Sequence, residues 1–465
     1  MKNLKQKYRA LKFGRIVRPL ASLLGVLALL AWVSGCKKFV TVDQLNDKLL
    51  STQVFNSEAT ANNAIAGIYT SANQTFTSNS LGYLAGLSAD EVVRYNSVGD
   101  NFYNNNLLPT DPLPWDGIYK IIYQCNDAIE GLAKSSLTDT KRNPLLGEAK
   151  FMRALCNFYL VNLYGDVPLI ISTDVNASAK APRTNVAVVY SQIISDLLDA
   201  QTQLSTVNSY AGGERIRANQ WVVKAMLARV YLYQKDWVNA LKYADDVIKS
   251  NAFVLSQTAD VFKKNSSETI LQLAINSAQF IYEAISYLPS SGVPGTVCTN
   301  SLIGAFEIGD QRKSIWTKTF LYSGTTYNYP YKYTTSSVNP PEYYMLFRLA
   351  EQYLIRAEAK AMQNDFEAAI NDVNLLRQKH GGLNTPLGIP ANQQAAMQVI
   401  MHERRVELFT EEAHRWFDLK RTGTVDAVMS VEKPGKWKGT AALWPIPLSD
   451  ILKNNNLKQN PGYPQ

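Results

Sequence analysis

Acid–base, metal or nucleophilic chemistry needs carboxylates, imidazoles or thiolates that can converge on one atom, and this chain offers few. Asp90 and Glu91 are adjacent, so on any regular element their side chains diverge. A carboxylate pair working on one glycosidic bond instead flanks it from two places ~5–10 Å apart. The three histidines, His380, His402 and His414, lack metal-site spacing. In His402-Glu403-Arg404-Arg405-Val406, Val406 stands where a zinc helix would need its second imidazole. There is no Gly-rich phosphate loop and no Gly-x-Ser-x-Gly turn. What the chain has in quantity is aromatic rings outside apolar runs. Nine Tyr (Tyr282, Tyr287, Tyr322, Tyr327, Tyr329, Tyr331, Tyr333, Tyr343, Tyr344) and Trp316 fall in or beside the Ser-, Thr-, Gly- and Pro-rich stretch from Ala278 to Pro341. Such rings give rigid contact area at low entropy cost and carry a polar tip. Their planes can pack on the C–H face of a sugar ring. The chemistry on offer is recognition, not bond breaking. No catalytic residue, cofactor or metal is expected.

These side chains need elements to hold them, and helical periodicity dominates. Glu148 to Leu163 reads as an amphipathic helix stopped by Gly165 and Pro168. Asn185 to Leu204 reads as another. Asn219 to Lys249 reads as two helices broken at Lys235-Asp236, and Tyr343 to His380 as two broken at Asn364-Asp365. Ala391 to Lys420 reads as one long helix. Two of the helix pairs align with each other. Ala228 meets Ala357, Gln234 meets Gln363, Asp236 meets Asp365, Trp237 meets Phe366 and Ala240 meets Ala369. Small residues allow close helix approach, and the aromatic after the turn Asp staples the second helix to the first. This is tetratricopeptide-like logic, with insertions between the pairs. Two stretches read as non-helical: Ser71 to Pro114, and Ala278 to Pro341. Irregular segments this long in a compact domain are functional or carry small strands of their own. The expected fold is therefore mainly all-α: helix pairs plus an irregular, loop-rich half containing small strands.

The N-terminus reads as a targeting segment. Met1 to Arg18 holds seven Lys/Arg and no acid, and Pro19 to Val33 is apolar. That run is shorter than the ~20 residues of a spanning helix. Val33-Ser34-Gly35-Cys36 resembles a bacterial lipobox, with Cys36 the expected lipidation site and residues 1–35 the signal peptide. After Cys36 the chain reads Lys37-Lys38-Phe39, without the acids that often accompany surface export. The chain's net charge is +8, and removal of residues 1–35 leaves +1. A nucleic-acid partner, which would want a clustered basic surface, loses its support. Past Cys36 only Cys125, Cys156 and Cys298 remain. An odd, widely spaced set is no disulfide framework.

Three blocks carry a family resemblance: Glu148 to Pro168, Leu349 to Ala359 and Glu403 to Arg421. Leu443-Trp-Pro-Ile-Pro447 and Asn460-Pro-Gly-Tyr463 complete the order. Behind a lipobox, this pattern closely resembles the SusD/RagB family over nearly the whole chain. On the residues alone, Val406, Phe409, Ala413 and Trp416 are packing residues. Arg404, Arg405, Glu407, Arg415 and Asp418 are expected to form a buried ion network, and Glu411 and Arg415, one turn apart, can pair. The resemblance implies a helical domain spanning 36–465, with an N-terminal part of about 36–230 and a C-terminal part of about 270–465. It implies a lipid-anchored, surface-exposed outer-membrane protein. It would bind oligosaccharides, or peptides, and pass them to a SusC-like TonB-dependent transporter. A protein-interaction scaffold is the alternative. Family ligand residues lie on variable loops, so none carries over by identity. Leu87-Ser-Ala-Asp-Glu91 resembles the family's small-residue-Asp-Glu step. The residues expected to touch ligand are Asp90, Arg94, Asn101 and Tyr103 from the first loop, and Tyr287, Trp316, Tyr322 and Tyr327 from the second.

Overall fold

The computed structural model describes residues 51–78, 81–95, 99–208, 210, 212–275, 279–290 and 292–464. Cys36 and the signal segment lie outside the described residues.

Helices follow the expected helix pairs, and the turn chemistry explains their bounds. The first half of the described chain holds α1 (Glu58–Ser78), α2 (Leu81–Ser88), β1 (Val92–Arg94), α3 (Trp115–Ala133), α4 (Asp139–Tyr164), α5 (Val186–Gln203), α6 (Gln220–Tyr233) and α7 (Trp237–Lys249). Then come β2 (Thr269–Leu273), α8 (Tyr282–Tyr287), β3 (Thr296–Cys298), α9 (Asn300–Ala305), α10 (Gln311–Trp316), β4 (Thr317–Tyr322), β5 (Thr325–Pro330) and β6 (Tyr344–Arg348). The last are α11 (Leu349–Met362), α12 (Phe366–Lys379), α13 (Gln393–Glu407), α14 (His414–Arg421), α15 (Val425–Glu432) and α16 (Leu448–Lys453). Single-turn helices at Ser51–Val54 and Val175–Ser178 punctuate the connections. Helices α1, α3, α4, α5, α6 and α7 pack in succession, and α7 packs on α11, which in turn packs on α12 and α13.

The two aligned pairs are geometric equivalents. Lys235 and Asn364 both adopt left-handed φ, 58° and 65°. The next residues, Asp236 and Asp365, cap α7 and α12 by accepting backbone N–H bonds from Asn239 and Ala368. Ala228, Ala240, Ala357 and Ala369 are fully buried where the helices meet.

Four expectations need correction. Helix α4 is not amphipathic over its central stretch: every residue from Phe151 to Val161 is buried, because helices and loops cover it on all sides. Ser71 to Ser88 is largely helical, since burial of Ala72, Phe76, Leu81 and Leu84 outweighs the weak helix preference of its Ser, Asn and Thr. Residues 344–348 form a strand, not the start of a helix. They pair antiparallel with β2, and both strands are buried throughout, where a short apolar run fits either structure. The helix expected from Ala391 to Lys420 breaks after Glu407. Thr410, Glu412 and Ala413 take positive φ (57°, 47° and 62°). That turn carries Glu411 to Lys332 and Arg348 and Glu412 to Tyr159. Glu411 therefore does not pair with Arg415, which binds Asp90 instead.

Candidate ligand-binding face

Two strand pairings bring the two aromatic-rich loops together. In β1–β3, Val92 lies opposite Cys298 and Arg94 opposite Thr296, and Tyr95 N–H continues the ladder to the Gly295 carbonyl at 3.0 Å. Strands β4 and β5 form a two-residue hairpin turning at Ser323-Gly324, both with positive φ (45° and 76°). This turn geometry matches the strands' own twist and favours glycine at its second position. Phe320 stands opposite Tyr327 and Tyr322 opposite Thr325, so Phe320, Tyr322 and Tyr327 share one face of the hairpin. Tyr95 reaches that face edge-on: its ring lies 5.4 Å from Tyr327 and 6.4 Å from Tyr322, at nearly perpendicular angles. Burial against these rings, and the neighbouring Tyr327, raise the Tyr95 phenol above its usual range. Tyr322 is 45% exposed and Tyr95 and Tyr327 are half-buried, so the trio offers ring surface to solvent.

Buried charge clamps both ends of the hairpin. Arg312, on α10 just before β4, is completely buried. It donates to Asp310 at 2.8 Å, Glu403 at 2.5 Å and Glu407 at 2.8 Å. Lys332, just after β5, donates to Glu411 at 2.5 Å and to the Glu407 and Phe409 carbonyls at 2.8 and 2.9 Å. Burial pulls its amine down to about 8. Arg348 and His380 complete the cluster through Glu407, Glu411 and Glu268. Burial penalises the Glu407 carboxylate, yet His380, Arg348 and Arg312 hold it well below the usual range.

Beside the trio, Arg94 donates from Nε to the Tyr83 hydroxyl at 2.8 Å and forms an ion pair with Asp100 at 2.9 Å, with 42% of its side chain exposed. Asp100 also accepts from the Tyr103 backbone N–H, which ties Tyr103 to the same surface. Lys433 and Lys436 each place Nζ 4.7 Å from the Tyr103 ring centre.

The eight residues expected to touch ligand separate into four partly open residues, three interior ones and Asn101, which serves its own loop. Arg94, Tyr103, Tyr322 and Tyr327 are partly open and adjoin one surface. Asp90, Tyr287 and Trp316 are interior residues and drop out. Asp90 is 1% exposed, held at 2.7 Å by Arg405 and Arg415. The pair locks β1 onto α13 and α14, and its neighbour Glu91 is pushed up to about 8 by burial and by the Asp90 charge. Tyr287 packs on Tyr83. Trp316 is 1% exposed, donates from Nε1 to the Thr258 carbonyl at 2.8 Å and packs on Phe262. Asn101 is partly buried and gives its amide to Asp111 at 3.0 Å, which shapes the 99–111 loop. Tyr95 is the residue the sequence reasoning missed, although it directly follows Arg94. The rest of the expected ion network is present: Arg404 pairs with Asp418 at 2.7 Å.

A helix-repeat scaffold that carries an aromatic, loop-borne face has the construction of a binding protein. The family comparisons are more specific. Residues 41–232 match a model described as starch-binding associating with outer membrane, and residues 307–463 match the SusD family model. A SusD-like protein of Formosa agariphila is 25% identical over 420 residues, covering 75% of this chain and 79% of that one. The starch-binding protein SusD of Bacteroides thetaiotaomicron is 24% identical over 428 residues, covering 70% and 74%. Among solved structures, a SusD superfamily protein from Bacteroides thetaiotaomicron superposes with TM-score 0.76 at 24% identity, covering 87% of this chain and all of that one. A laminarin-binding SusD-like protein superposes with TM-score 0.76 at 22% identity, covering 88% and 100%. The chain belongs to the SusD/RagB family.

Proposed function

We propose that the protein is an outer-membrane lipoprotein, anchored through Cys36, that binds oligosaccharides and hands them intact to a SusC-like TonB-dependent transporter. The observation that carries the binding step is the Tyr95–Tyr322–Tyr327 cluster: three rings, partly open to solvent, two of them on a hairpin whose base is fixed in the core and the third packed against it from the end of β1. A pyranose lays its C–H face on such rings while Arg94 and the Tyr hydroxyls meet its hydroxyls. Family membership and the laminarin-binding relative support a glycan over a peptide. The site's make-up supports release without cleavage. Of the acids flanking β1, Asp90 and Asp100 are buried and paired with arginines, and Glu91 is buried beneath the surface.

The test is calorimetric titration of the purified full chain with β-1,3-glucan, starch-type and peptide oligomers, with chromatography of each mixture after long incubation. Saturable glycan binding with the oligomer recovered unchanged is expected. Shortened products, or binding of peptides alone, would overturn the proposal. A pull-down from native membranes that recovers no TonB-dependent barrel would remove the transporter half of it.

A further inference from the structure

A cleft lies at the start of α3, where that helix meets the C-terminal segment. Trp115, Tyr119 and Tyr123 recur every four residues, so they stack along one side of α3. Trp115 is buried as a floor, 4.8 Å from the Tyr119 ring. Tyr119 donates its hydroxyl to the Pro168 carbonyl at 2.8 Å, leaving its ring as wall. Tyr123 is 50% exposed at the rim. From the opposite side, α16 and the residues after it supply Asp450, Lys453 and Leu457. The pocket is an open cleft of about 310 Å³, at the lower end of pockets that hold small molecules. It shares no lining residue with the hairpin face.

The polar groups are as particular as the rings. Asp450 is half-buried, and its carboxyl is pushed up by that burial and by Asp116 at the start of α3. Lys453 lies three residues on, exposed at the edge of the same pocket. Asp450, which also accepts from the Ser449 hydroxyl at 3.1 Å, and Lys453 present an acceptor and a donor side by side over an apolar floor. A vicinal diol complements such a pair, giving one hydroxyl proton to Asp450 and one lone pair to Lys453.

We propose that this pocket is a second saccharide site, seating one neutral hexopyranose ring with its C–H face on Tyr119 and Tyr123 and two adjacent hydroxyls on Asp450 and Lys453. It rests on the glycan-binding reading above and extends it to a second place in the fold. A protein with two such sites holds one polymer at two points, or two segments at once, which raises retention by effective concentration.

The test uses full-length protein in a detergent without a sugar headgroup. Saturation-transfer NMR is recorded with methyl β-glucoside, methyl β-galactoside, methyl α-mannoside and, separately, 1,5-diaminopentane. At least one glycoside should receive transfer at its ring C–H protons, both in the wild type and in the Tyr322→Ala/Tyr327→Ala variant. Affinity should fall about tenfold in Tyr123→Ala and survive in Tyr123→Phe, which keeps the ring. An unchanged signal in Tyr123→Ala overturns the proposal. So does binding of the diamine alone, which would make the pocket a cation site. Absence of glycoside binding while long oligosaccharides still bind sinks the second site and leaves the proposed function standing. Absence of binding by any saccharide, short or long, sinks both.

Discussion

His380 is the group whose titration best reports the buried charge cluster. Its ring is fully buried, with Nδ1 2.8 Å from Glu407 and Nε2 3.0 Å from Glu268. Burial alone would lower its pKa, but the two carboxylates outweigh it and raise the value from 6.5 to about 9. A folded pKa above the unfolded one means that the imidazolium stabilises the fold. That contribution is fully present below pH 6.5 and is lost as the pH rises through about 9. A shift of this size corresponds to roughly 3 kcal/mol of folding free energy. Other buried groups titrate in the same range. Glu91, pushed up to about 8, also loses stability as the pH rises, whereas Lys332, pulled down to about 8, acts in the opposite direction above that pH. The informative quantity is therefore the difference between the wild type and His380→Gln, in which an amide replaces the titrating ring and groups outside the cluster cancel. Urea unfolding followed by tryptophan fluorescence should show that difference shrinking by roughly 3 kcal/mol between about pH 6 and about pH 9.5. A difference flat to within about 1 kcal/mol over that interval would refute the assignment of a charged His380 to this cluster.

Four further outcomes are expected. Tyr322→Ala/Tyr327→Ala should weaken oligosaccharide binding by about 2 kcal/mol, roughly thirtyfold, with an unchanged thermal midpoint, read by calorimetric titration and a melt. Arg312→Met removes the arginine that pairs with the buried carboxylates of Asp310, Glu403 and Glu407 and should cost about 3–5 kcal/mol in denaturant unfolding. Gly82→Ala would drive a methyl group into the Thr410 carbonyl, where α2 meets the turn after α13, and should cost about 1–3 kcal/mol by the same assay. Cys36→Ala should move the protein from the membrane fraction to the soluble one on ultracentrifugation; retention in the membrane pellet would count against lipid anchoring.

The parts legible in the sequence are those governed by local rules. The turn dipeptides Lys235-Asp236 and Asn364-Asp365 announce both a left-handed residue and an N-cap, and the structure places both there. The break between α13 and α14 is different. Leu408 to Ala413 keeps a helical pattern of apolar residues, and the reason it turns is remote: Lys332 and Arg348 draw Glu411 out of the helix path. The same limit applies to the aromatic loops. Trp316 and Tyr322 are six residues apart in one Tyr- and Trp-rich stretch. One is core and the other half-open because Phe262 and the Thr258 carbonyl cover the first, and nothing nearby in sequence specifies that. The Trp115, Tyr119, Tyr123 ladder had a usable signal in its spacing, but its opposing wall comes from residues more than three hundred positions later.

The hairpin rooted at Arg312 and Lys332 has a corollary. Its anchors sit in the interior and its tip stands outside, so the segment between them contributes little to the core. If the hairpin face binds as proposed, exchanging residues 318–329 changes what that face presents while Arg312 and Lys332 keep their places in the interior.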